Sequence, residues 1–178
     1  GKSNMKTLVV AEHNNSELSA ATLSVVEAAK KLGKDIDILV AGDSASAVLE
    51  QAKSVDGVSQ VLSFNDARFA NEIAEDLAEC IVSVADEYCY FLASSSTTGK
   101  NNLPRAAALM DLQQVSEVIE IIDDKTFKKP IYAGSCIATV KSDQEKNVLT
   151  IRTTAFDKSA LGAGSAEVVE KSVPDTAS

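Results

Sequence analysis

The sequence predicts an α/β domain of three layers, with helices on both faces of a mostly parallel sheet and an antiparallel hairpin added near the C-terminus. Three observations support this fold class. Strand-like apolar runs alternate with helical patterns from Lys6 to Asp123, and that alternation favours right-handed crossovers and a parallel sheet. From Thr126 two strand-like segments follow each other without a helix. Hydrophobic residues make up 45% of the 178 residues, which is enough for a packed core.

The first half of the chain contains three strand–helix units. The predicted strands are Lys6–Glu12, Asp35–Gly42 and Ser59–Phe64. Ser19 is a suitable N-cap for a first helix that extends through Leu32. Ser44 and Asp66 are suitable N-caps for a second helix, which ends near Ser54, and for a longer third one. That third helix carries an apolar stripe at spacings of three and four residues: Phe69, Ile73, Leu77, Ile81 and Val84.

The second half begins with a buried strand over Tyr88–Ala93, a polar loop and a helix from about Asn101 to Met110. A fifth strand is predicted over Val115–Asp123. The hairpin pairs Thr126–Lys141 with Asn147–Phe156 through the polar connection Ser142–Lys146. Residues 1–156 form the predicted domain. Residues 157–178 are rich in Ser, Ala and Gly, a composition that predicts a flexible linker.

The charge balance excludes several classes of partner. The net charge is −9 and the isoelectric point about 4.6, so the chain repels phosphate backbones and anionic membrane surfaces, and we expect no nucleic-acid partner. No apolar run reaches the ~18 residues of a membrane span, and we expect no membrane insertion. The three cysteines, Cys80, Cys89 and Cys136, match no zinc or CxxC spacing and are predicted to be core residues of a protein from a reducing compartment.

The polar loop after the fourth strand, SSSTTGKNNLPR from Ser94, resembles a phosphate-binding loop only in part. The pattern G-x-x-x-x-G-K-[ST] requires glycine where Ser94 stands and a hydroxyl where Asn101 stands. Two interpretations remain open. The loop is a capped strand-to-helix connection, or it contacts an anion or cofactor at the carboxyl edge of the sheet. The residues that could make that contact are Thr98, Gly99, Lys100 and Asn101. Pro104 is predicted in the first turn of the helix.

No set of residues in the sequence builds a reaction centre. His13, the only histidine, has no carboxylate or nucleophile beside it in the sequence and is expected to be structural. No GxGxxG follows the first strand, and neither HExxH nor a GxSxG elbow occurs. The pairs Asp35/Asp37 and Asp123/Asp124 are predicted to be solvated residues at strand ends. We therefore predict no catalytic residue and no metal site.

Four segments together identify a resemblance to a known family. They occur in the order TLVVAEH, GKNNLPRAAALMD, KPIYAGSCIATV and LTIRTTAF. In combination they closely resemble the N-terminal domain of the electron transfer flavoprotein α subunit, over about Lys6 to Phe156. The resemblance implies a fold of the adenine nucleotide alpha hydrolase-like kind.

The resemblance also implies a function as a component of an electron carrier rather than an enzyme. A β subunit is the implied partner. FAD would be held mainly by a glycine-rich C-terminal domain of the α subunit, which this sequence does not include, so no bound cofactor is expected here. Electrons would pass from dehydrogenases, such as the acyl-CoA dehydrogenases of fatty acid β-oxidation, to a quinone oxidoreductase. The implied location is the bacterial cytoplasm or, alternatively, the mitochondrial matrix. The positions implied to contact a partner or domain are Lys100, Arg105, Tyr132 and Arg152.

An alternative function remains open at this stage. Polar loops after the first and fourth strands are also compatible with a free-standing nucleotide-binding module of the universal stress protein kind. Such modules usually carry a glycine- and serine-containing phosphate motif near the last parallel strand, and no such motif is present.

Overall fold

A computed structural model describes residues 5–71, 74–131 and 136–175. These residues form ten strands, β1 Lys6–Val10, β2 Ile36–Gly42, β3 Val58–Asn65, β4 Tyr88–Ser94, β5 Gln114–Val118, β6 Glu120–Asp123, β7 Thr126–Pro130, β8 Ile137–Lys141, β9 Asn147–Ile151 and β10 Glu167–Lys171. They also form four α-helices, α1 Ala20–Lys30, α2 Ser46–Lys53, α3 Ala74–Ser83 and α4 Thr97–Leu109. Seven strands make one parallel sheet in the order β10-β3-β2-β1-β4-β9-β5. The predicted fold class is confirmed.

Two hydrophobic clusters pack on opposite faces of this sheet and account for the three layers. One joins α1 and α2 to alternate residues of the central strands, such as Val9 and Ile38. The other joins α3 and α4 to the residues between them, such as Leu8 and Leu39. Because successive side chains of a strand point to opposite faces, a strand covered on both sides must be apolar throughout. That requirement is why the central strands were recognisable as continuous apolar runs.

The helix starts were predicted with mixed success. The Ser19 side chain accepts a hydrogen bond from the Ala21 N–H and caps α1, as predicted. The prediction for Ser44 is wrong, because α2 begins after Ala45 and Ser44 has a left-handed backbone with φ 54°. The predicted third helix is divided into a 3₁₀ helix over Ala67–Asn71, whose start Asp66 caps, and α3. Of its predicted stripe, Ile73 lies outside the described residues.

The predicted fourth helix begins earlier than expected. α4 starts at Thr97 instead of Asn101, so Pro104 is its eighth residue rather than part of its first turn. At that position proline removes one helical hydrogen bond, that to the carbonyl of Lys100. The four residues before the predicted start, Thr97 to Lys100, belong to the segment that resembles a phosphate-binding loop.

The antiparallel addition is present, but its strands differ from those predicted. The predicted fifth strand is divided between β5 and β6. β6 pairs with β7, and β7 pairs with β8, in a separate antiparallel sheet. The expected pairing of Thr126–Lys141 with Asn147–Phe156 does not form. Instead β9 inserts in parallel between β4 and β5. All five residues of β9 are buried, which an exposed hairpin could not achieve.

Residues 157–166, here called the strap, do not have the open structure predicted for a flexible linker. The strap crosses the ends of α1 and α2, where the Ser159 hydroxyl donates to the Glu27 carboxylate at 2.9 Å and the Gly164 N–H donates to the Ser54 carbonyl at 2.9 Å. A Cβ on Gly164 would lie 2.4 Å from the carbonyl oxygen of Val55. The small residues that suggested flexibility therefore allow close packing, and β10 then extends the sheet beside β3.

Candidate functional site

The carboxyl edge of the sheet between β1 and β4 is the place where a ligand is expected in this fold. The chain runs from β1 through β2 to β3 on one side and then crosses to β4 and β9 on the other. The crevice that such a reversal leaves is the usual binding place in open α/β sheets. Here it is bordered by Glu12, which follows β1, and by Ser94 and Ser96, which join β4 to α4. We call this the switch-point crevice.

A carboxylate of the protein itself accepts two of the hydroxyl groups that border the switch-point crevice. One oxygen of Glu12 accepts the Ser94 hydroxyl and the other accepts the Ser96 hydroxyl. Ser95 is tied to the neighbouring strand, since its N–H donates to the Ile151 carbonyl at 2.8 Å. The Ser94 and Ser96 hydroxyls are thus already donated to an anion of the chain. A phosphate would have to displace Glu12 and overcome its charge.

The four predicted loop candidates lie in the first turns of α4. Gly99 is needed there for packing, because a Cβ would lie 1.7 Å from the carbonyl oxygen of Ser94. Lys100 and Asn101 are exposed, and the Lys100 N–H donates to the Ser96 carbonyl at 2.8 Å. Thr98 precedes them in the same turn. Among these residues the glycine has a role in holding the helix against the strand.

The arginines predicted to contact a partner both form ion pairs within the domain. Arg105 Nη2 lies 3.2 Å from Glu79 Oε1, which links α4 to α3. Arg152 Nε lies 2.9 Å from Glu117 Oε2. Each arginine side chain remains 44% exposed, so part of each guanidinium can still reach a second acceptor. Tyr132 lies outside the described residues.

His13 is structural, as its sequence context predicted. Its Nε2 is 2.8 Å from the Ala41 carbonyl oxygen and its Nδ1 accepts the Asn15 N–H at 3.0 Å. These two contacts fit the neutral ring with its hydrogen on Nε2, because Nδ1 must accept. Asn15 in turn accepts the Asp43 N–H at 2.9 Å and donates to the Phe69 carbonyl. Together they join the loops that follow β1, β2 and β3.

A second carboxylate, Asp37, was predicted to be solvated and is instead fully buried. It accepts the Tyr88 hydroxyl at 2.6 Å and lies 2.9 Å from Lys6 Nζ. Burial lowers the pKa of Lys6, but its contacts with Asp37 and Glu87 outweigh this, so the pKa is raised. Burial and then Asp37 raise the pKa of Tyr88 above its usual range. The sequence feature that could have indicated its burial is the position of this acidic residue inside the apolar run IDILV.

Two of the three cysteines lie in the core. Cys80 and Cys89 are buried, as predicted, and burial raises the pKa of Cys80 to about 12, which keeps it an unreactive thiol. The prediction that Cys136 is a core residue is wrong, because it is exposed. Within the described ranges no cluster of His, Cys, Asp or Glu could hold a metal ion. The helices of that same part of the chain are too short or too polar to span a membrane.

Taken together, the parallel sheet, the separate antiparallel sheet and the internally occupied crevice define an α/β domain. The model of the electron transfer flavoprotein domain matches residues 7–176. This chain belongs to that family, and the resemblance inferred from its segments is confirmed.

Similar proteins from bacteria and a eukaryote refine the comparison. The electron transfer flavoprotein subunit alpha of Pseudomonas aeruginosa is 49% identical over 96% of this chain and 55% of its own length. The subunit alpha of Paracoccus denitrificans is 43% identical over 93% of this chain and 54% of its length. The mitochondrial subunit alpha of Dictyostelium discoideum is 42% identical over 91% of this chain and 48% of its length. The chain thus spans about half the length of these relatives.

Proposed function

We propose that this chain is the N-terminal domain of an electron-carrier α subunit, and that its role is to support subunit association rather than to hold the flavin. The domain would include β10, which extends the parallel sheet, and the residues after β10 would lead toward the part that binds FAD. The relatives support this division, since each is about twice as long as the matched region. FAD would then be bound mainly by the half of the subunit that lies outside the match.

The observation that carries the scaffold role is the Glu12 carboxylate in the switch-point crevice. Both of its oxygens are used by serine hydroxyls from the loop that would otherwise face a ligand. A crevice closed in this way favours a structural domain over the alternative of a nucleotide-binding module.

The implied partner is a β subunit of the same family, which the name "subunit alpha" of the relatives supports. Lys100, Arg105, Tyr132 and Arg152 are the positions proposed to contact it or the flavin-binding part. The complete protein would take electrons from dehydrogenases and pass them toward the quinone pool. Its location would be the bacterial cytoplasm, with the mitochondrial matrix as the alternative that the Dictyostelium relative supports.

The test is association of the purified chain with a β subunit, measured by calorimetry and size-exclusion chromatography. We expect a one-to-one complex that is weakened in Arg105→Ala and Arg152→Ala. The control is Lys53→Ala, which removes an exposed ion pair of α2 at 3.1 Å from Glu50. If no complex forms at any salt concentration and AMP or ATP binds the chain saturably, the nucleotide-binding alternative replaces this proposal.

A further inference from the structure

A second cleft lies at the carboxyl edge, away from the switch-point crevice. Its volume is about 150 Å³, and it is bounded by the ends of β2 and β3 below, the first turn of α2 above and β10 at its open side. One buried water needs about 10–15 Å³ of such space, so the cleft can hold a small molecule. None of the residues predicted from the sequence as a site borders it.

The floor of this cleft is set by the strand register. Val40, Ser63 and Glu170 are paired across β2, β3 and β10 and form one row. Paired residues of adjacent strands share a face, and this row lies on the face that α2 covers, because Val61 and Val168 on the same face pack in the α2 cluster. Gly42 and Asn65 form the next row toward the edge.

The roof is the uncapped N-terminus of α2, a helix of eight residues. Ala45 occupies the N-cap position and supplies no side-chain acceptor. The first helical hydrogen bond runs from the Leu49 N–H to the Ala45 carbonyl at 3.0 Å. The N–H groups of Ser46, Ala47 and Val48 therefore precede the helical ladder and are available as donors near the cleft.

The Ser63 hydroxyl is an independent sign of a ligand. Ser63 is only 3% exposed and lines the cleft. Its hydroxyl has no hydrogen-bond partner among the described residues and is not one of the fully enclosed side-chain atoms, so it is open to the cleft. Beside it in the same row stands Glu170, which is exposed and forms no ion pair within the described ranges. Donors at the α2 N-terminus and on Ser63 and an acceptor on Glu170 thus border the same cleft.

We propose that this cleft binds a small zwitterion of the α-amino acid type. The carboxylate would accept hydrogen bonds from the α2 N-terminus and the Ser63 hydroxyl. The ammonium group would pair with Glu170. The apolar side chains of Val40 and Leu49 border the same space and would contact an aliphatic side chain. A simple anion fits less well, since Glu170 and the net charge of −9 repel it. This site does not depend on the proposed electron-carrier role.

The test is a titration of the ¹⁵N-labelled chain with L-valine, followed by amide chemical shifts. We expect saturable shifts at Ser46, Ala47 and Val48. Glu170→Gln should weaken valine binding roughly tenfold, because it removes a charge-assisted hydrogen bond. Ser63→Ala should weaken it about fivefold. The matched control is Glu167→Gln, which makes the same change on the opposite face of β10 and should bind valine as the unchanged chain does.

Acetate and methylammonium, which carry one charged group each, are the comparison ligands. Both should bind more weakly than valine, and Glu170→Gln should leave acetate binding equal or tighter. The proposal is overturned if valine causes no saturable shift, or if acetate binds as tightly as valine. It is also overturned if Glu167→Gln weakens valine binding as much as Glu170→Gln does.

Discussion

The two ends of the central strands each hold a carboxylate that accepts hydroxyl groups, and the difference between them is burial. At the amino end, Asp37 is fully buried and pairs with a cation, Lys6, as well as with Tyr88. At the carboxyl end, Glu12 is half-buried and its carboxylate accepts the hydroxyls of two neutral serines. The contacts of Asp37 therefore hold β1, β2 and β4 together. The contacts of Glu12 close a crevice and contribute less to the free energy of unfolding.

The largest effect is expected from Asp37→Ala. Its removal leaves the buried Tyr88 hydroxyl without its acceptor and leaves Lys6 with the exposed Glu87 at 3.5 Å. Breaking a buried pair costs about 3 kcal/mol where one partner keeps some solvent contact. Urea unfolding monitored by circular dichroism should show this loss of unfolding free energy. Tyr88→Phe, which removes only one hydrogen bond, should cost about 1–2 kcal/mol. Equal losses in the two variants would contradict a role for the charge pair.

The next effect is a loss of stability at alkaline pH. Lys6 and Tyr88 have pKa values raised in the folded state, so their stabilisation is complete below the unfolded values, near pH 10, and declines as pH rises through the folded ones. The free energy of unfolding should therefore fall above about pH 10, with a smaller slope in Tyr88→Phe. A flat profile from pH 8 to 12 would show that the cluster does not titrate with folding.

Gly99→Ala tests how closely α4 packs on β4. Alanine has the higher helix propensity by about 1 kcal/mol, but its Cβ would lie 1.7 Å from the Ser94 carbonyl oxygen, so the backbone must shift. We expect a net loss of about 2 kcal/mol by thermal and urea unfolding. Gly33→Ala, at a site with open space but φ 71°, is the comparison and should cost about 1 kcal/mol. A stabilised Gly99→Ala would contradict the close approach.

Glu12→Gln should reduce the free energy of unfolding less than Asp37→Ala or Gly99→Ala does. The amide keeps the shape and one acceptor, so we expect a loss of about 1 kcal/mol. Hydrogen exchange should become faster in the first turn of α4, because the Ser94 and Ser96 hydroxyls lose charge-assisted partners. Unchanged exchange there, with the same stability, would mean that Glu12 does not hold the crevice closed.

The smallest effect is expected from Arg105→Ala. Its pair with Glu79 is exposed, and such pairs contribute within about 1 kcal/mol. Stability measured by urea unfolding should therefore change little while association with a β subunit weakens. A large loss of stability would show that Arg105 is needed for folding and would argue against its role as a contact residue.

The sequence predicted what local patterns determine. The strands β1 to β4, the Ser19 cap and the structural His13 were recovered because neighbouring residues define them. The insertion of β9 and the packing of the strap depend on partners far along the chain. At the crevice, the polar loop was found, but Glu12 lies 82 residues before Ser94. Similarly, Asp37 could be recognised as buried only once the three strands around it were assembled.

A titration of the purified chain with FAD tests the central claim, that this domain supports a flavoprotein without holding its flavin. Flavin fluorescence reports binding directly, and no partner is needed. The account predicts no saturable change in fluorescence and no flavin absorbance retained after gel filtration. Stoichiometric retention of FAD by the chain alone would contradict it.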